Sequence, residues 1–338
     1  MVNKLVKFFS VTGLTWFIPM VRIAAGEDIK EQFRELWTIM GVPLVAICIF
    51  LVMWGEVSSK IVTSLGSIPG PAQVFQETKG LIQDHLNERE KAVLFDARQE
   101  ERIQKLLAKN PDAKVNRPQY TGKPTFIDQI FTSIRTVFMG FTLATIVAVP
   151  LGIICGLSKT MNAALNPIIQ IFKPVSPLAW LPIVTMVVSA LYVVDDNSWF
   201  QKSFLNSAIT VTLCSLWPTL INTAVGVSSI DKDLMNVGKV LNLSWFTQVF
   251  KIVLPSSLPL IFTGLRLSLG VGWMVLIAAE MLSQNPGLGK FIWDEFQNGN
   301  MSSLGRIMSA VLTIGLIGFV LDRIMLTFQN LFTFSDKR

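Results

Sequence analysis

This sequence is short of charge, and nearly without histidine, tyrosine and cysteine. Only 15% of its 338 residues are charged and 51% are hydrophobic. A water-soluble domain carries about a quarter charged residues, so this shortage places the chain in a bilayer. The single histidine, His85, lies in a hydrophilic stretch and reads as a solvated side chain, which excludes His-based triads and a His-rich metal centre. Cys48, Cys155 and Cys214 each fall inside an apolar run without ligand spacing, so they read as small core hydrophobes and no metal site is expected. A phosphate-binding loop is missing as well. Gly122-Lys123-Pro124-Thr125 lacks the upstream glycine and has proline where a magnesium-binding hydroxyl belongs, and Gly287-Leu288-Gly289-Lys290 is followed by Phe291. No catalytic residue and no cofactor bound by this chain are therefore expected. The net charge of +6 is no nucleic-acid signal, because basic residues of membrane proteins collect on the cytoplasmic side.

Long apolar runs are what the sequence does have, with 23 Phe, 13 Met and 9 Trp. Residues 1–35 read as a cytoplasmic, interfacial segment. Arg22 stands where a cleavable signal would need small residues, although a signal-like segment remains the alternative. Residues 36–55 form a charge-free span with Trp37 and Trp54 near its two ends. Residues 56–124 read as an extracytoplasmic insert, helical over 72–110 with a weak apolar stripe, then a loop. The remaining core, 125–330, offers five further spans at 127–156, 162–191, 204–227, 258–282 and 304–328, before a cytoplasmic tail at 331–338. Pro167, Pro174, Pro177 and Pro182 predict a short helix and then a kinked span from Pro177. The expected fold is all-α and polytopic, with six transmembrane helices and a helical insert.

Lysines and arginines in the short loops put both termini inside. Lys4, Lys7, Lys30, Arg34, Lys159, Lys232, Lys239, Lys251, Lys337 and Arg338 fall on one side, whereas the other holds Asp195, Asp196, Asp294 and Glu295 against only Lys202 and Lys290. The loop at 228–257 then faces the cytoplasm. It is too patterned for a connector, because Leu234, Val237, Leu241, Phe246, Val249 and Phe250 recur at helical spacing and offer knobs for a partner's groove. A proline-bounded stop, Pro255 to Pro259, separates it from the next span.

The loop resembles that of the membrane subunits of bacterial ATP-binding-cassette importers. Their pattern is Glu-Ala-Ala, three residues, Gly, nine residues, Ile-x-Leu-Pro. Here Asn236-Val237-Gly238, Asn242 and Ile252-Val253-Leu254-Pro255 stand at those positions. The ending matches, whereas Asn236 replaces the glutamate, Val237 and Gly238 the two alanines, and Asn242 the glycine. Asn tolerates positive φ, so a tight bend at Asn242 is expected. KPVSPLAWLPI (173–183), SLWPTLINTAVGV (215–227), TGLRLSLGVGWMVLIAAEML (263–282) and FIWDEF (291–296) are similar to the nitrate/nitrite permeases, with bicarbonate and cyanate relatives.

That resemblance implies the type I ABC importer permease fold in a bacterial inner membrane, and a second permease copy, most simply a homodimer. It also implies two ABC ATPase subunits holding ATP and Mg, and an extracytoplasmic substrate-binding protein. Asp233, Leu234, Asn236, Val237, Gly238, Leu241, Asn242, Phe246, Phe250 and Pro255 would form the ATPase-coupling loop.

Asn206, Thr210, Asn222, Arg266, Ser268, Trp273 and Glu280 are the polar residues that a translocation path would draw on. Against that role, Thr and Ser bond back to their own helix carbonyls, and Arg266, so near the loop, reads more readily as a snorkelling or inter-helix anchor. Arg266 and Glu280 lie about 21 Å apart along one helix and cannot pair with each other. Glu280 would repel an anion, which favours pairing with an outer base or organising the loop at 283–303. Nitrate is the expected cargo, with bicarbonate, cyanate or a sulfonate as alternatives. An ATP-independent ion-coupled carrier is the reading from another class.

Overall fold

The computed structural model describes residues 5, 6, 9, 15–26, 28–63, 66–109, 115, 117, 118, 120–193, 200–300 and 302–333. Asp195, Asp196, Lys337 and Arg338, used above for orientation, lie outside them, as do Lys4 and Lys7.

A short helix α1 (Ile18–Ala24) precedes α2 (Ile29–Ser58), which is longer at its start than the expected span at 36–55. The helix does not break at residue 36. A π-helical turn at Trp37–Gly41 leads into Pro43 and absorbs the missing proline N–H, so the polar residues from Ile29 onward form its first turns. Cys48 is exposed on α2, which corrects its expected place in the core. A two-stranded ribbon, β1 (Val62–Thr63) with β2 (Gly66–Ser67), pairs Val62 with Ser67 and Thr63 with Gly66.

The insert is one helix, α3 (Pro71–Lys109). Its first half is docked and its second half projects. Val74 and Leu81 are buried, Thr78 Oγ1 donates to Ser309 Oγ at 3.0 Å, and Arg89 pairs with Asp128. Ile82, Leu86, Val93, Leu94, Leu106 and Leu107 are exposed, so most of the apolar stripe is left uncovered among the described residues. His85 is half-buried rather than solvated, its Nδ1 lying 2.6 Å from Thr125 Oγ1. Tyr120 Oη donates to Glu88 Oε1 at 2.7 Å, which holds the Glu88 carboxyl below its ordinary range and pushes the Tyr120 phenol up.

The core is built from α4 (Phe126–Leu157), α5 (Lys159–Phe172), α6 (Pro177–Leu191), α7 (Lys202–Ser228), α8 (Lys232–Val240), α9 (Trp245–Ser283), α10 (Leu288–Asn298) and α11 (Ser303–Thr333). Thr125 and Asp128 close a capping box that starts α4. Gly140, Ala144, Ala148, Gly152 and Gly156 repeat every fourth residue along α4, and the three glycines lie against α7. A Cβ on Gly140 would sit 2.7 Å from Ala208 O, so the two backbones meet only because that position has no side chain. Helix α9 runs antiparallel to α7, with Ser268 Oγ receiving Thr219 N at 3.0 Å and Ser207 Oγ lying 2.6 Å from Ser283 Oγ.

Among the described residues, five helices are long and apolar enough to cross a membrane, and six if α5 and α6, bent by 101° at their junction, make one broken span. The prolines thus produce an elbow sharper than the expected kink. Helix α4 also fixes the ends of the bundle. Asp128 near its start meets the insert and Ile153 near its end packs on Val227, Val249 and Val253. The 25 residues between them span about 38 Å, more than the ~30 Å hydrocarbon core. The insert and the 228–257 segment therefore occupy opposite ends.

Candidate coupling site

The segment expected to couple forms a helix, a tight turn and a second helix. Asp231 caps α8, accepting from Asp233 N at 3.0 Å. The helix ends in a Schellman motif, in which Asn242 N donates to Lys239 O and Leu243 N to Gly238 O, both at 3.0 Å. Asn242 sits at φ 51°, the left-handed conformation anticipated where the importer pattern has glycine. Ser244 then caps α9, accepting from Thr247 N. Gly238 is buried where the two helices cross, and a Cβ there would come within 3.1 Å of Ile252 Cδ1.

The turn makes a specific prediction. Asn242→Gly leaves stability near that of the wild type, whereas Asn242→Val costs about 1–2 kcal/mol, because a β-branched side chain opposes positive φ. Thermal unfolding of the two variants in the same detergent checks it.

Leu234, Val237, Leu241, Phe246 and Phe250 are 45–69% exposed and crown this elbow. Val240 and Trp245, absent from the sequence reading, are also exposed, at 84% and 53%. Asp233, Asn236 and Pro255 lie exposed beside them. Two expectations need correction. Val249 is buried against Ile153, Val227 and Val253 and offers no knob. Pro255 and Pro259 do not stop the chain, since α9 begins at Trp245 and runs through both. A π-helical turn at Val249–Val253 precedes Pro255 and takes up its lost donor, so the span expected from residue 258 is one continuous helix with the second arm of the elbow.

The polar residues considered for the path are largely engaged within the subunit. Arg266 is paired with Asp322 of α11, Nη2 to Oδ2 at 2.8 Å, so its charge is neutralised. Thr210 Oγ1 donates to Asn206 O at 2.7 Å, Asn222 Nδ2 to Pro218 O at 2.8 Å, and Trp273 Nε1 to Ile314 O at 3.0 Å. Ser268 Oγ donates to Ser215 O. Asn206 is buried, and its Oδ1 finds no partner among the described residues. Glu280 is fully buried. It accepts from Ser133 Oγ of α4 at 2.8 Å and from Gly289 N of α10 at 3.0 Å, while Leu288 N donates to Ser133 Oγ at 2.9 Å. No base pairs with it among the described residues, so the loop-organising alternative is the one the structure carries. The sequence reading missed Ser133 and Asp322, and took Gly287-Leu288-Gly289 only as a failed phosphate loop.

The family model described as "Binding-protein-dependent transport system inner membrane component" matches residues 148–332. The chain belongs to this family. That match runs from the end of α4 through α11 and contains the whole elbow. Over 296 residues the permease is 33% identical to a nitrate import permease protein of Synechocystis sp., covering 88% of this chain and 90% of the relative. A nitrate import permease protein of Synechococcus elongatus is 37% identical, covering 58% and 66%. A bicarbonate transport system permease protein of Synechocystis sp. is 41% identical, covering 60% and 68%. The permease is thus a multi-pass, all-helical membrane subunit of a transport system.

Proposed function

We propose that this permease forms half of the translocation path of an ATP-driven importer for a small oxyanion. The observation that carries the reading is the exposed apolar crown of the α8–α9 elbow, set at the end of the bundle away from the insert. Seven large apolar side chains in water are a standing cost unless a partner covers them. In this reading the crown inserts into a groove on an ATPase subunit, with Leu234, Val237, Leu241, Phe246 and Phe250 as anchors and Lys232, Lys239 and Lys251 at its rim. Two ATPase subunits hold ATP and Mg and hydrolyse it. A second copy of the permease completes the path, and an extracytoplasmic binding protein delivers cargo at the insert end. Both termini are cytoplasmic.

Continuity of α9 from Trp245 to Ser283 supports a lever, since a shift of the elbow moves the far end of the same helix, where Glu280 ties in α10. Asn206, whose Oδ1 is left open, is the path residue best retained from the sequence.

Nitrate is the cargo we favour, because the relative covering most of the chain is named for it. Bicarbonate is the second reading, favoured by the 41% identical relative. Purifying the permease from its native membrane tests the assembly, and the ligand of the co-purified binding protein tests the cargo. An ATPase and a nitrate-binding protein are expected, and a permease that purifies alone and intact contradicts the reading.

A further inference from the structure

With Arg266 neutralised by Asp322, the positive charge expected of an anion path must be sought elsewhere. Arg306 is surrounded by Glu77, Asp84 and Glu295, within 3.3–3.8 Å, and Arg323 follows Asp322 directly while lying over the Phe319 ring. Arg135 differs. It lies on α4 nine residues past Phe126, about 14 Å along the helix axis. Its guanidinium carbon is 5.4 Å from the ring centres of both Phe200 and Phe204, and no carboxylate among the described residues forms an ion pair with it.

Aromatic faces steady a cation without cancelling its charge, whereas a carboxylate cancels it. Arg135 is also exposed in the single subunit, on one face of α4 with Phe131 and Phe138, themselves 67% and 42% exposed. A charged side chain turned to hydrocarbon is costly, which favours a face turned to a watery path.

We propose that Arg135, backed by the Phe200 and Phe204 rings, is the anion-selecting residue at the insert end of the translocation path. It draws a small oxyanion from water, and the aromatic edges beside it suit an anion that sheds water readily. The proposal rests on the oxyanion-import reading above and adds the residue that selects by charge.

The test uses the whole complex, permease with its ATPase and binding protein, in liposomes with labelled nitrate. Arg135→Gln is expected to lower uptake about tenfold while ATP hydrolysis stays within about twofold, and Arg135→Lys is expected to retain most uptake. Arg135→Cys gives an independent reading: a methanethiosulfonate carrying an ammonium group restores its uptake and an uncharged one does not, with the wild type treated in parallel. Assembled Arg135→Gln with uptake within twofold of wild type, or equal effects of the two reagents, overturns the proposal. A wild-type complex that accumulates neither labelled nitrate nor labelled bicarbonate overturns the cargo reading instead.

Discussion

Leu241→Asp and Phe250→Asp permeases are expected to lose ATP-driven uptake almost completely, by about 30-fold or more. Both side chains are more than 60% exposed, so neither change disturbs packing within the subunit and both variants should insert and fold. In the docking proposed above, their cost falls on the partner contact. A truncated anchor at an interface centre costs about 2 kcal/mol or more, and an unpaired carboxylate pressed into an apolar groove adds several. Since about 1.4 kcal/mol is tenfold, coupling collapses even if weak docking survives. Uptake by cells and recovery of the ATPase with the tagged permease check this together. The same substitution at Val249 should behave differently, because that side chain is buried against Ile153 and Val253. Val249→Asp is expected to unfold the elbow and lower the amount of permease in the membrane.

The second large effect is expected at Glu280. Glu280→Ala strands Gly289 N and Ser133 Oγ, at about 1–3 kcal/mol for each buried group, and leaves a cavity between α4, α9 and α10. A loss of about 3–5 kcal/mol lowers the midpoint of thermal unfolding in detergent by about 10 °C. Glu280→Gln keeps one carbonyl acceptor and is expected to lose less than half as much. An alanine variant as stable as the wild type would remove the knot from the account.

How much of this was legible depends on the range of the interaction. The turn at Asn242 could be read because its cause is local: an asparagine at the spacing where the pattern needs positive φ, between two apolar helical faces. The helical insert was legible for the same reason. What Arg266 and Glu280 do was not, because Asp322 lies 56 residues from the one and Ser133 147 from the other, and nothing in either neighbourhood marks the partner. Arg135 carries no signal in the sequence, since its distinction is a missing carboxylate, which only the packed helices reveal.

Proline misled in an instructive way. Pro255 and Pro259 read as a stop by the rules of helices in water, yet the π-helical turn at Val249–Val253 lets the helix through. The same device precedes Pro43 in α2. Where four prolines cluster, at 167–182, the chain does bend, by 101°. The second arm of the elbow is thus continuous with α9, which makes the crown more suited to transmitting force than a segment cut off from its span by a proline stop.

The central claim is that this chain moves an anion only when a partner's ATP hydrolysis drives its elbow. Reconstituting the permease in liposomes, alone and with its ATPase and binding protein, and following labelled nitrate tests it most directly. The account predicts accumulation that requires ATP and both partners. Nitrate accumulation by the permease alone, without ATP, would contradict it.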